Sequence, residues 1–361
     1  MMRKEWKFDE DKFESLKHMM DIISPSMEEN KMASYLHALW GNRNVQVKLD
    51  VMGNLHAVLN KDANIHVGLV AHMDTVAVQV SQILPNGAVR FRSIGIRPHV
   101  LLGQKVKILS KNDVVEGVVG FDPTSQYGQP KGLVEEDLWI DIGADDYEDA
   151  VSKIEIGDLG VFEPTFSCLN GKYLCGTGLD NRVGVFILTE CLHWFLDNVP
   201  TSVCLHVIGT TQEEIGLRGA SIIASNQPLD ACFVIDVDYA TDTLFSHENV
   251  MGCLCLGKGL GIHIKSDNNS VLRDMVCDIA DRRGILYQKS LGRFLYGGTD
   301  ATAIQLQNGG IATMNISVPC RYMHSPVEVC HKSDVEAVIN LLIEAVDGIN
   351  DKKLNDFIPQ Y

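Results

Sequence analysis

The sequence predicts an α/β protein with a small all-β module inserted into it. Three observations carry this prediction. Strand-length apolar runs alternate with segments of helical period near both ends of the chain. Between them, from about Thr75 to Glu163, short Val- and Ile-rich runs such as VKIL (106–109) and VEGVVG (115–120) are broken by Gly, Pro and Asp, with no helical period. Finally, 361 residues exceed what one hydrophobic core usually serves, so two domains are expected.

The elements follow in order. Residues 8–23 place Phe13, Leu16, Met19, Met20, Ile22 and Ile23 near helical period. Ser26-Met27-Glu28-Glu29 has the form of a capping box, leading into a second helix that ends near Trp40 and Gly41. Strands are expected at 45–52 and 55–59, turned by Gly53-Asn54, and at 65–72, where continuous apolar character marks a buried central strand. After the middle stretch, helix-like 182–196 and strand-like 203–210 are followed by LRGASIIAS (217–225) and the strand-like ACFVIDVD (231–238). Helical periods at 271–283, 299–307 and 333–349 enclose a further strand, IATMNISV (311–318). Helices on both faces of a sheet are the expected packing.

Lys and Arg total 31 against 47 Asp and Glu, a formal net charge of −16, which argues against partners with phosphate backbones or anionic lipid surfaces. No run approaches the roughly 18–20 apolar residues of a membrane helix. The first twenty residues lack the apolar core of a secretory signal. Ten cysteines without a Cys-x-x-Cys pair do not form a disulfide framework, and most sit in apolar stretches as small hydrophobes. Cys253 and Cys255 have strand spacing and are expected to fill core. A cytoplasmic protein is expected.

Candidate chemistry collects at strand ends. His72 and Asp74 close the run 65–72, and Asp74 is placed to orient a metal-binding imidazole, although a structural strand-end His fits as well. Asp180, in GLDNRVG (178–184), reads as an N-cap or a ligand. Glu213 and Glu214, in TTQEEIG (210–216), are adjacent carboxylates among uncharged flanks; one could ligate metal while the other stays free as a base. Helix first-turn acids are the plainer reading. Asp236 and Asp238 end another apolar run, and His324 lies just past 311–318. As a set, these imidazoles and carboxylates suit a zinc-like divalent ion, and two ions sharing one carboxylate would need about this many ligands.

Read in order, AHMD (71–74), GLDNRVG (178–184), TTQEEIGLRGA (210–220), VIDVD (234–238) and YMHSPVE (322–328) resemble the tetrahedral aminopeptidases, the glutamyl or deblocking aminopeptidase family of dinuclear-metal exopeptidases. IDIGADDYEDA (140–150), IEIGD (154–158) and GGTDA (297–301) extend the likeness across nearly the whole chain. The resemblance implies a mixed-sheet catalytic α/β domain sandwiched by helices (1–75 and 165–361), interrupted by a small β-barrel-like domain (76–164) that serves assembly. It implies homo-oligomers built from dimers, up to a dodecamer, and two divalent ions per subunit, zinc foremost with cobalt or manganese as alternatives. His72, Asp180 and Asp236 would hold one ion, and Asp180, Glu214 and His324 the other. Asp74 would orient His72, Glu213 would be the general base for attack by metal-bridged hydroxide, and peptides with a free N-terminus would be the substrates.

Thr299 and Asp300 are candidates to line the substrate pocket, with Thr299 equally readable as a helix N-cap. Asp238 is the alternate ligand to Asp236, and 121–138 has no assigned role. Arg293 and Arg321 are candidate cations for an acid-selective pocket. Two other function classes compete: a glycan hydrolase of endoglucanase type, which would need the paired carboxylates but no metal, and a catalytically silent assembled scaffold.

Overall fold

A computed structural model describes residues 5–41, 45–111, 113–122, 132–200, 202–225, 228–244, 251–292, 297–349 and 354–359. Its centre is an eight-stranded mixed sheet built from β1 (Gln46–Leu49), β2 (Leu55–Leu59), β3 (Ile65–His72), β12 (Val203–Thr210), β13 (Ala231–Tyr239), β14 (Leu260–His263), β15 (Tyr287–Ser290) and β16 (Ala312–Cys320). The strand order is β1-β2-β12-β3-β13-β16-β14-β15. The four middle strands β12, β3, β13 and β16 run parallel, and antiparallel partners flank them on either side. Parallel neighbours carry their carboxyl ends to one edge of the sheet, which is where ligands gather in such folds.

Strand period two explains how the sheet packs. On β3, Val67, Leu69 and Ala71 enter the larger core, while Val70 enters a second core with Ile208, Cys232 and Val234. The larger core is completed by helices α1 (Glu10–Met20), α2 (Asn30–Gly41), α5 (Leu179–Asp197), α6 (Ser270–Arg283) and α8 (Lys332–Ile349). Helix α5 is buried almost all round, as a central helix packed on a sheet and on other helices should be. The second core is covered by a 3₁₀ turn at Ala220–Ile222 and by the short helix α7 (Asp300–Ile304). A three-stranded sheet of β10 (Phe166–Leu169), β11 (Tyr173–Gly176) and β17 (Glu328–His331) lies beside them.

The middle stretch forms a closed barrel of β4 (Ala77–Ile83), β5 (Val89–Ile94), β6 (Lys105–Leu109), β7 (Val114–Phe121), β8 (Leu138–Asp141) and β9 (Leu159–Phe162). The barrel encloses its own core, in which Val78, Phe91, Ile108, Val119 and Ile140 are buried. Short helices α3 (Pro98–Leu101) and α4 (Tyr147–Lys153) connect its strands, and Asp146 caps α4 by accepting from Asp149 N. No helix among the described residues is long and apolar enough to cross a membrane.

Some sequence expectations need correction. Ser26 caps no helix, because α2 starts at Asn30; its hydroxyl donates to Asp74 Oδ2 at 2.6 Å instead. The segment 217–225 forms only the 3₁₀ turn, since backbone groups of 216–219 are spent on residues 211–213. Cys253 and Cys255 lie outside any strand, with Cys253 exposed and Cys255 half-buried, so they do not fill core.

Gly219 shows why the loop after β12 holds one shape. Its N–H donates to Thr211 O, and a Cβ there would sit 2.2 Å from Asn54 Oδ1 and 2.5 Å from Thr211 O. Gly219→Ala is therefore expected to cost about 1–3 kcal/mol through overpacking. Urea unfolding with an unchanged m-value checks this, and a loss below about 0.5 kcal/mol, the scale of a neutral surface change, would contradict it.

Candidate metal centre

Parallel pairing places Thr210 beside His72, so the turn 211–214 begins where β3 ends. Asp236 lies two residues beyond the Val70–Val234 pair, on the face that carries the second core. Asp180 sits in the irregular first turn of α5, where its φ/ψ of −78°/103° departs from helix; Gly178, not Asp180, occupies the N-cap position. His324 follows β16 by four residues and has φ of +62°.

These elements bring two groups of donors together, His72, Asp180 and Asp236 in one and Asp180, Glu214 and His324 in the other, with the ligand atoms of each within 4.8 Å of one another. His72 Nε2 is 3.2 Å from Asp180 Oδ1 and 3.6 Å from Asp236 Oδ1. His324 Nε2 is 3.3 Å from both Asp180 Oδ2 and Glu214 Oε2. Asp180 thus turns one oxygen to each group. Asp238 is not among them, for its carboxylate lies 2.7 Å from His263 Nε2.

The electrostatics of the cluster follow from burial. Desolvation, reinforced by Asp180, pushes the Glu214 carboxyl up to about 8, and desolvation with neighbouring acids raises Glu213 and Asp236 too. Burial opposes charge on His324 as well, but Asp180 and Glu214 outweigh it and raise its pKa to about 10. Acids so close in a low-dielectric site need protons or cations, and Glu214 Oε1 is buried without a hydrogen-bond partner among the described residues. A mixed imidazole and carboxylate set with an orphaned buried oxygen fits divalent ions.

Further residues hold this geometry. Asp74 Oδ1 accepts from Glu213 N at 3.0 Å, and Oδ2 accepts from Glu214 N at 3.2 Å and from Ser26. His72 Nδ1 faces the Asp74 carbonyl at 3.1 Å and its carboxylate at 3.5 Å. Burial would raise the Asp74 carboxyl, yet its bond to His72, the imidazole's charge and the other donors hold it below the ordinary range. The sequence did not mark Glu328, whose two oxygens accept from Asp180 N at 2.9 Å and His324 N at 2.7 Å. Nor did it mark Glu29, which accepts from Gln212 N at 3.0 Å and fixes the turn before Glu213. The available signal for Glu328 was its place four residues after His324 in YMHSPVE.

Thr299 is the N-cap of α7, accepting from Ala301 N. Asp300 is buried, accepts from Thr210 Oγ1, and is pushed up to about 7 by desolvation. Arg321 is held by Asp242 through two 2.7 Å bonds, so its charge is already matched. Arg293 lies outside the described residues, as does the 123–131 part of the unassigned stretch 121–138.

Fold and site together define an α/β protein with an acidic, histidine-containing candidate metal centre at the strand ends. The M42 glutamyl aminopeptidase family model matches residues 53–341. The lysyl aminopeptidase of Pyrococcus furiosus is 31% identical over 87% of this chain and 89% of its own length. Among solved structures, a TET aminopeptidase from the marine sediment archaeon Thaumarchaeota archaeon SCGC AB-539-E09 superposes with a TM-score of 0.88 at 28% identity, covering 96% of this chain and 99% of that one. The Pyrococcus horikoshii TET1 peptidase, described as assembling into a tetrahedron or a large octahedral shell, gives 0.82 at 31% identity, covering 92% and 98%. The chain belongs to the M42 peptidase family and is a peptide hydrolase. Peptidases of this family are metal-dependent, in keeping with the ligand clusters described above.

Asp74→Asn preserves shape but replaces an acceptor oxygen with a donor facing backbone N–H groups. A loss of about 2–3 kcal/mol in metal-free protein is expected from the stranded donors, together with weaker metal binding. Denaturant unfolding with and without chelator measures both, and unchanged stability would remove Asp74 from its positioning role.

Proposed function

We propose that this chain is a dinuclear-metal aminopeptidase, removing residues one at a time from peptides with a free N-terminus. One observation carries the reading: Asp180 presents its two oxygens to different donor groups, 3.2 Å from His72 and 3.3 Å from His324, as a bridging carboxylate would. His72 and Asp236 would complete one site, and Glu214 and His324 the other. Two divalent ions, zinc foremost, would supply Lewis acidity that lowers the pKa of water and polarises a carbonyl.

The chain's own residues do the rest. Glu213 is adjacent to a ligand but outside both donor groups, so its carboxylate can take a proton from the attacking water and return it to the leaving amine. Asp74 fixes the backbone N–H of Glu213, which sets where that carboxylate hangs. We assign Asp300, which accepts from Thr210 beside the turn, to the wall of the substrate pocket, with Thr299 capping the helix that carries it. We assign the catalytic unit to 1–75 and 165–361 and the barrel unit, 76–164, to assembly into a homo-oligomer like the TET shells. We assign a cytoplasmic setting, in which the ten cysteines would stay reduced.

The reading is tested by mass spectrometry of a mixed peptide pool incubated with protein plus Zn²⁺ or Co²⁺, with and without chelator. Stepwise loss of unblocked N-terminal residues, abolished by chelator and absent on acetylated peptides, is expected. Cleavage that survives complete metal removal would overturn it, as would internal cleavage. Glu213→Gln is expected to keep its metals yet lose at least about 100-fold in kcat, the scale of general-base loss. Unchanged turnover would remove Glu213 from that role.

Metal loading is also expected to depend on pH. His324 is held protonated up to about 10 and Glu214 up to about 8 in the metal-free protein, and both must be deprotonated to ligate. Zn²⁺ added to stripped protein should therefore release protons, and its affinity should rise as pH rises from about 6 to about 8. Calorimetry in buffers of different ionisation enthalpy measures this; pH-independent affinity without proton release would contradict it.

A further inference from the structure

A second group of donor side chains lies at the opposite end of the sheet. His66 is the second residue of β3, and Cys204 and His206 lie near the start of β12. Parallel pairing sets Cys204 beside His66, and His206 beside Gly68. Residues two apart on a strand share a face, so all three side chains emerge on the same side of the sheet. His66 Nδ1 is 2.9 Å from His206 Nε2, and Cys204 Sγ is 3.3 Å from that same nitrogen. The three donor atoms lie within 4.8 Å of one another. Cys204 and His206 are buried, while His66 is half-buried and leaves an edge open to solvent.

We propose that His66, Cys204 and His206 form a binding site for a zinc-like, thiophilic divalent cation, separate from the acidic centre. The donor chemistry differs from that centre: two imidazoles and one sulfur are the softer set that selects zinc over hard cations. Zn–N bonds of about 2.0–2.1 Å and Zn–S of about 2.3 Å put tetrahedral donors roughly 3.3–3.7 Å apart. The present separations of 2.9 and 3.3 Å need open by only a few tenths of an ångström, exchanging the hydrogen bond between the rings for two metal bonds. Three protein donors leave a fourth position for water at the open edge. The ion would pin β3 to β12, the two strands whose far ends carry His72 and the turn with Glu213 and Glu214. Its role is to fix that pair of strands, not to touch substrate.

The thiol supplies a distinctive signal. A cation bound there would displace the proton of Cys204 and hold it as a thiolate. The acidic centre contains no sulfur, so a thiolate-to-cobalt charge-transfer band in the near ultraviolet cannot arise there. Stripped full-length protein titrated with Co²⁺ is expected to develop that band. Cys204→Ser should abolish it and lower bound cobalt by one equivalent. His66→Ala, a change at the half-buried edge that keeps the thiol, should weaken the band's Co²⁺ dependence by at least about 10-fold. Cys253→Ser should leave the band intact, separating it from the Cys253 and Cys255 sulfurs, which lie 3.3 Å apart. A protein that shows no such band at saturating Co²⁺ would overturn the proposal, as would a band surviving Cys204→Ser. If Cys204→Ser does not fold, a Co²⁺ dependence unaltered by His66→Ala overturns it equally.

Discussion

The burial of like charges at the carboxyl edge of the sheet governs this molecule. Asp180, Glu214, Asp236 and Glu213 share a desolvated space with His72 and His324; burial disfavours the charged forms of Glu213, Glu214 and Asp236, while the two imidazoles hold the Asp180 carboxyl below the ordinary range against its own burial. In water such carboxylates would be independent. Here each depends on whatever positive charge the site holds, and protons are the weakest solution. Divalent cations offset the repulsion with more charge in less volume, and the imidazole nitrogens face the carboxylates at 3.2–3.6 Å, within reach of shared ions.

A site of this kind is stable only if its scaffold does not relax. Asp74 ties three elements together, accepting from Ser26 ahead of α2 and from both Glu213 and Glu214 after β12, while sitting beside His72. Glu328 does the same across α5 and the loop after β16. The barrel joins this shell as well, since His324 Nδ1 lies 2.8 Å from the Gly95 carbonyl just past β5. The inserted unit therefore touches the centre.

The parts of the site legible in sequence are those signalled locally. His72, Asp236 and His324 each follow an apolar run, so their strand-end positions can be read from the chain, whereas the sharing of one face by His72 and Asp236 comes from the pairing of β3 with β13. Glu213 and Glu214 stand out because their flanks cannot solvate them. The supporting acids are not legible in this way: Glu29 reaches Gln212 across 183 residues, and Glu328 reaches Asp180 across 148, distances at which no local pattern operates. Ser26 illustrates the converse, since Ser-x-x-Glu satisfies the capping pattern, yet tertiary demand for donors at Asp74 overrode it. The β character of the middle stretch is legible from Val and Ile runs, but the barrel order β4-β5-β8-β7-β6-β9 is set by long-range closure.

In the proposed enzyme Asp180 would bridge two cations. The direct measurement is a crystal structure of zinc-loaded protein with anomalous differences collected on both sides of the zinc edge. The account predicts two peaks about 3.5–4 Å apart, the spacing of two-metal sites, with Asp180 touching both, His72 and Asp236 on one, and Glu214 and His324 on the other. A single peak in this cluster, or two peaks that do not share Asp180, would contradict it.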